Sequence, residues 1–322
     1  MKAFGVATHV AGYFREFMES SNKHGINLTI LGFGEEWQGF LWKFSMMLEA
    51  LDDVSDEEVV LFTDAYDVIF LAGPEEIENK FKQLDVDFLV SGENGVANPI
   101  INVMYQEVMM NPRVKGCDYN CSINSGMYMG YARAVKSVLR TILNYVRTSG
   151  ISDANDQSQL VLYSKMHPGE ISIDYDSTIF YNQLIRPFNS HISIKNHEDL
   201  KIVQNSTRLY NTKTEEFPCI FHAPGNMDMS EIIIQQGLTV HYEDVDLFTS
   251  KTWHYTKKTW PHIVLTLALI SILFLIFQCQ KSYVISKSHS VLLSTAITVV
   301  GWSYWMHLRI NNKLPPLRMI VG

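Results

Sequence analysis

The chain has 322 residues, 47% of them apolar, enough for one full-sized α/β domain with an appendage. A formal net charge of -8 leaves no basic face to neutralise phosphates, which argues against a nucleic-acid partner. With 12% aromatic residues this is not a disordered acidic chain either. Phe4-Gly-Val-Ala-Thr8 reads as the first strand. Thr8 and His9 interrupt the apolar-leaning stretch Ala3–Ala11, and no small-residue cleavage site follows, so the pattern is not that of a secretory signal. A helical pattern over Tyr13–Lys23 comes next, then a strand at Leu28–Gly32 and a helix at Phe40–Leu51. Strand Val59–Thr63, helix Glu75–Leu84 and strand Phe88–Ser91 complete the alternation. Strands and helices at this pitch predict a mixed, mostly parallel sheet with helices on both faces. Ligands of such sheets bind beyond the carboxyl ends of the strands, so polar residues directly after apolar strands carry the functional interest.

Cys117 and Cys121 are close enough for a local bridge or a C-x3-C zinc pair. No second Cys/His pair has matching spacing, and unpaired thiols are the simpler expectation. At the far end Ile263–Phe277 carries no charge, within an uncharged window from Thr259 to Gln280, and a bilayer core needs about 20 such residues. Ser290–Leu308 is less apolar but ends in Trp302, Tyr304 and Trp305, an aromatic cluster suited to a headgroup belt. The expected arrangement is a juxtamembrane segment (251–262), a transmembrane hairpin (263–280 and 290–308 around loop 281–289) and a tail (309–322). A buried soluble hairpin is the alternative. Lys251, Lys257, Lys258, Arg309, Lys313 and Arg318 flank the hairpin, against Lys281 and Lys287 in its loop. That bias places the large domain on the cytosolic side, although sequons at Asn27, Asn120 and Asn205 would suit a lumenal one.

Four segments carry chemistry. In Val59-Val-Leu-Phe-Thr-Asp64-Ala-Tyr-Asp67 an apolar strand ends on one carboxylate and a turn brings a second, a hard-oxygen pair suited to Mg²⁺ or Mn²⁺. An Asp that merely caps a turn gives the same spacing. In Ile123-Asn124-Ser125-Gly126-Met-Tyr-Met-Gly130, glycines four apart permit close backbone approach to a ligand or a strand. Asn124 and Ser125 can hydrogen-bond sugar hydroxyls. Ser152-Asp153-Ala-Asn-Asp156-Gln157 opens a helical run to Met166, where acids are also favoured by the helix dipole alone. Last, Pro218-Cys-Ile-Phe-His222-Ala-Pro-Gly225-Asn226 sets a histidine after a short strand, as a third metal ligand or an ordinary hydrogen-bonded histidine.

Together and in this order, these segments resemble the glycosyltransferase domain of the procollagen lysyl hydroxylase (collagen glucosyltransferase) family. The similarity runs through Val6-Ala-Thr8, Leu31-Gly-Phe-Gly-Glu35-Glu-Trp37, Lys43 and Gly73-Pro74, over residues 3 to 235. It implies a GT-A domain over residues 1–250 and a UDP-hexose donor, with Mn²⁺ (or Mg²⁺) on Asp64, Asp67 and His222. Val6, Thr8 and Lys43 would surround the nucleotide, Asn124, Ser125 and Gly126 would line the sugar, and Gly225 would complete the donor site. Asp156 and Gln157 would face the donor sugar or acceptor, and Asp156, Lys43 and Asn124 form the expected catalytic set. The family's Cys-Trp-Pro stretch is replaced here by Gly92-Glu-Asn-Gly-Val-Ala-Asn-Pro99, its longer acidic run is thinned, and its His-Gly-Asn-Gly turn becomes His222-Ala-Pro-Gly225. The metal and nucleotide half matches the pattern; the acceptor half departs from it. The expected activity is metal-dependent transfer of glucose or galactose from UDP, with retention, to a hydroxyl of a glycan, protein or lipid. A non-catalytic, membrane-anchored sugar-nucleotide or partner-binding protein is the rival, and a metal-dependent phosphohydrolase a further one.

Overall fold

The computed structural model describes residues 1–97, 102, 117, 119–151, 154–186, 191–225 and 227–241. They belong to a compact unit running Met1–Leu247. In chain order the elements are β1 (Lys2–Val6), α1 (Phe14–Lys23), β2 (Leu28–Leu31), α2 (Trp42–Ala50), β3 (Val59–Asp64), β4 (Val68–Phe70), α3 (Pro74–Gln83) and β5 (Phe88–Glu93). There follow β6 (Ser122–Tyr131), α4 (Ala132–Ser149), α5 (Asp156–Met166), β7 (Ser172–Asp174), β8 (Phe180–Asn182), β9 (Leu200–Ile202), β10 (Leu209–Asn211), β11 (Ile220–His222) and α6 (Ser230–Gln235).

Successive side chains of a strand point to opposite faces, and β3 uses both. Val60 and Phe62 pack with Phe44 and Met47 of α2 and with Val135 and Leu139 of α4. Val59 and Leu61 pack with Phe17 of α1 and with Ile77 and Phe81 of α3. Helices therefore cover both faces, as expected. The helices themselves follow local rules. In α4, Ala132, Val135, Leu139 and Ile142 are buried at helical spacing, and Gly150 ends the helix with φ 66°. In α3, Pro74 occupies the first turn with Glu75 and Glu76, and Lys80 and Lys82 lie in the last, each charge favourable to the helix dipole.

The main sheet has the order β2-β1-β3-β6-β5-β7. Its pairs are parallel except the two made by β6. A smaller sheet, β4-β11-β8, and a β9–β10 hairpin lie beside it. The parallel direction of β1 and β3, in register Val6↔Asp64, brings their C-terminal ends to one edge.

Asp174, at the end of β7, anchors the turn into β8. Its carboxylate accepts from the backbone N–H groups of Thr178 (2.9 Å), Ile179 (2.9 Å) and Phe180 (2.8 Å). Burial nevertheless pushes its carboxyl up to about 6. The folded state thus holds this proton more tightly than the unfolded chain, where an Asp titrates near ~3.9. The stability it contributes is whole below about pH 4 and is lost as pH rises toward 6. At about 1.4 kcal/mol per tenfold change in proton affinity, the loss is on the order of 3 kcal/mol. Denaturant unfolding of the wild type and Asp174→Asn should therefore show a difference in stability that shrinks between pH 4 and pH 7. A difference that stays constant rules this assignment out.

Cys117 and Cys121 are joined in a disulfide rather than unpaired: the turn between them sets their Cα atoms 5.6 Å apart, within bridging range. Cys219 is free and buried. Among the described residues no helix is long and apolar enough to cross a membrane. The segments expected to do so, 263–280 and 290–308, lie outside the described residues.

Candidate active site

Asp64 terminates β3 at the carboxyl edge it shares with β1, and a two-residue turn places Asp67 just ahead of β4. Strand β4 pairs antiparallel with β11, with Val68 opposite His222. The small sheet thus carries the histidine to the aspartate turn from the far end of the domain. One ligand atom each from Asp64, Asp67 and His222 lie within 4.8 Å of one another. His222 Nε2 is 3.3 Å from Asp67 Oδ1. Gly126 makes the convergence possible. A Cβ at this position would lie 2.6 Å from His222 Cε1 and 3.0 Å from Asp64 Oδ2. Gly130 plays a different part, since a Cβ there would meet the Asp87 carbonyl at 2.5 Å. One of the two glycines admits the site and the other admits a neighbouring strand.

Lys43, buried in the first turn of α2, reaches Asp64 Oδ1 at 2.9 Å and Asp156 Oδ2 at 2.6 Å. Burial lowers the proton affinity of its ammonium, but Asp156 and Asp64 outweigh that and hold it above its ordinary value. Asp156 opens α5 without being its cap: the Asn155 side chain accepts the Ser158 N–H at 3.2 Å. The dipole explanation for an acid there is therefore incomplete, because the carboxylate is turned toward Lys43. Burial and the neighbouring Asp67 raise Asp64, against Lys43 and His222. Burial lowers His222, but Asp67 and Asp64 outweigh it and raise the imidazole. Crowded carboxylates facing an imidazole make a cluster that a divalent cation would relieve. Two oxygens and one nitrogen suit Mn²⁺ or Mg²⁺, and the residues fit such an ion.

Beside this cluster a polar network fixes β6. The β5–β6 ladder shifts register between Val90 and Ser91, so that Val90 faces Tyr128 and Ser91 faces Asn124. Ser125, Gly126 and Met127 are the extra residues taken up there. Asn124 Nδ2 donates to Glu93 Oε2 at 2.8 Å, and its Oδ1 accepts the Gly126 N–H at 2.9 Å. Gln157 Nε2 donates to Glu93 Oε1 at 3.1 Å, and its Oε1 accepts the Ser125 N–H at 3.4 Å. Asn124, Ser125, Gly126 and Gln157 are thus brought together around the buried Glu93, which bonds Asn124 and Gln157, and the Gln157 N–H donates to Asp156 Oδ1 at 2.9 Å. Val6 is buried at the end of β1 beside Asp64. The Thr8 N–H donates to the Tyr66 hydroxyl at 2.9 Å. Gly225 sits in the turn beyond His222 with φ 83°, two residues after Ala223, whose N–H donates to the Asp67 carbonyl at 2.8 Å. Asp153 and Asn226 lie outside the described residues.

Residues 1–235 match the family described as PLOD GT domain. The chain belongs to the PLOD glycosyltransferase-domain family. The chain is similar to a Gallus gallus procollagen-lysine,2-oxoglutarate 5-dioxygenase 1, 30% identical over 195 residues, which are 55% of this chain and 24% of the relative. A Rattus norvegicus multifunctional procollagen lysine hydroxylase and glycosyltransferase is 26% identical over 68% of this chain and 29% of its own length. An uncharacterised protein of Acanthamoeba polyphaga mimivirus is 24% identical over 69% of this chain and 45% of its length. The chain thus spans less than half the length of these curated relatives. A solved glycosyltransferase involved in glycosylation of the major capsid of PBCV-1 aligns with a TM-score of 0.40 and 12% identity, over 74% of this chain and 99% of its own. Among the residues of this PLOD-type domain, Glu93 and Asn182 were not singled out from sequence. Glu93 ends β5 as Asp64 ends β3, which is a signal the sequence offers; Asn182 ends β8, which is too short to be read as a strand.

Proposed function

We propose that this PLOD-type domain transfers glucose or galactose from a UDP-sugar to a hydroxyl acceptor, using Mn²⁺, with Mg²⁺ as substitute. The convergence of Asp64, Asp67 and His222 within 4.8 Å carries the proposal. An ion bound there would act as a Lewis acid on the donor diphosphate. The remaining work falls to side chains. Lys43 keeps a positive charge at the same spot, placed to stabilise negative charge on a departing nucleotide. Asp156, 2.6 Å from that ammonium, holds it in place and offers a carboxylate to positive charge developing at the sugar. Val6 and Thr8 border the nucleotide at the end of β1, and Asn124, Ser125, Gly126 and Gln157 form the wall against the hexose, with Gly225 in the turn that borders it. The apolar segments 263–280 and 290–308 anchor the chain to a membrane.

The test is UDP release from UDP-glucose and UDP-galactose with Mn²⁺, with and without glycan, protein or lipid hydroxyl acceptors. Release that requires Mn²⁺ and rises with one acceptor class is expected. Tight UDP-sugar binding without release under any of these conditions would favour the non-catalytic reading instead.

A further inference from the structure

The Asn182 amide, at the end of β8, is 2% exposed and engaged at both ends. Its Nδ2 donates to the Gly92 carbonyl at 2.7 Å, and its Oδ1 lies 2.6 Å from His222 Nδ1. A carbonyl only accepts, so the amide nitrogen must face Gly92 and the amide oxygen must face the imidazole. That oxygen also only accepts, so Nδ1 must carry the hydrogen. In the neutral ring Nε2 then keeps its lone pair, and Nε2 is the atom turned toward Asp67. We propose that Asn182 is a positioning residue, which locks His222 in the Nδ1-protonated tautomer and aims a free Nε2 lone pair at the Asp64–Asp67 carboxylates. The proposal rests on the metal reading given above.

The backbone holds this amide where the task needs it. Strands β8 and β11 are parallel with Asn182 directly beside His222, and the Gln183 N–H donates to the His222 carbonyl at 2.9 Å. Asp174 pins the turn that leads into β8 through three N–H groups. Gly92 belongs to β5, which is paired on both sides. Asn182 therefore joins the small sheet, which carries His222, to the main sheet. Without the amide the ring could rotate, or protonate at Nε2 and donate to Asp67, and either state must be undone before Nε2 can ligate. Loss of such an outer partner typically weakens metal binding ~10–100-fold.

The test uses Asn182→Leu and, as a smaller second variant, Asn182→Ala, with folding checked by circular dichroism. Nitrogen-15 imidazole spectra of the metal-free protein at alkaline pH, with the His222 signal assigned through His222→Ala, report the tautomer. The wild type should show the Nδ1-protonated form, and both variants should shift toward Nε2–H. Mn²⁺ titrations should weaken ~10–100-fold in parallel. An unchanged tautomer, or unchanged Mn²⁺ affinity, in either folded variant overturns the proposal. A wild type that binds no Mn²⁺ yet loses its tautomer preference in the variants would instead overturn the metal reading and leave the role of Asn182 in orienting His222 standing.

Discussion

Gly126→Ala is expected to weaken Mn²⁺ binding on the order of 100-fold while the domain still folds. The added methyl would sit 2.6 Å from His222 Cε1 and 3.0 Å from Asp64 Oδ2, so it strikes two of the three candidate ligands at once. Neither can step aside cheaply. The imidazole is held by Asn182, and Asp64 is held by Lys43. The backbone beside Gly126 is held as well, since Met127 pairs with Thr63 of β3 and Asn124 with Ser91 of β5. Overpacking of this kind typically costs about 1–3 kcal/mol of stability, which an α/β domain of this size can absorb. Gly130→Ala is the control. Its methyl meets the Asp87 carbonyl, away from the site, so it should lower the melting temperature and leave the Mn²⁺ affinity of the folded protein unchanged. Electron paramagnetic resonance of free Mn²⁺, read with thermal unfolding, separates the two effects. Wild-type affinity in folded Gly126→Ala would remove the glycine from the site.

Asp67→Asn should produce the second large loss. Removing one member of a buried, hydrogen-bonded charge cluster costs about 2–5 kcal/mol of binding, which is ~30-fold or more in affinity. Mn²⁺-dependent binding of UDP-sugar should fall with it. The apoprotein should behave differently. Asp67 raises Asp64 by like-charge repulsion, and the substitution relieves that crowding. Stability without metal should therefore hold or rise slightly, even though the imidazole loses its partner oxygen. In calorimetry the wild type should gain melting temperature on addition of Mn²⁺, and Asp67→Asn should gain little. An equal gain in both would show that the ion binds elsewhere.

The central layer of the fold is legible in the sequence because its strands are four to six apolar residues long and its helices show a helical stripe. Phe4–Thr8, Leu28–Gly32 and Val59–Thr63 name β1, β2 and β3 to within a residue or two. Of the small sheet only β11 leaves a trace, as the short strand that leads to His222. Strands β4, β8 and β11 have three residues each, too short to display a period, and all of those residues are buried. Strand β6 is nearly all buried too, so it shows a run of Gly, Ser and Met rather than alternation. The site divides along the same line. Asp64, Asp67 and His222 each stand out locally, at or just after a strand end, but only the family pattern joins them, since nothing local says that residues so far apart will meet. Asn182 escaped because a single amide in a three-residue strand has no signature until its partner is known. The Cys117–Cys121 spacing permitted a bridge, and only the turn through Asn120, with φ 50°, decided for it.

Strand β11 lies between β4 and β8 in the small sheet, although it is made after both. During synthesis, therefore, the aspartate turn and the Asn182 strand emerge from the ribosome with a slot left open between them. Until Ile220–His222 is delivered, β4 and β8 each present an unpaired edge, the kind of surface that invites pairing with another chain. The strand that fills the slot brings the histidine with it, so quenching the two edges and completing the candidate metal cluster are one event. A nascent chain stalled before Cys219 should accordingly be both prone to self-association and unable to recognise donor, and capture of a sugar nucleotide would report that the domain has been finished.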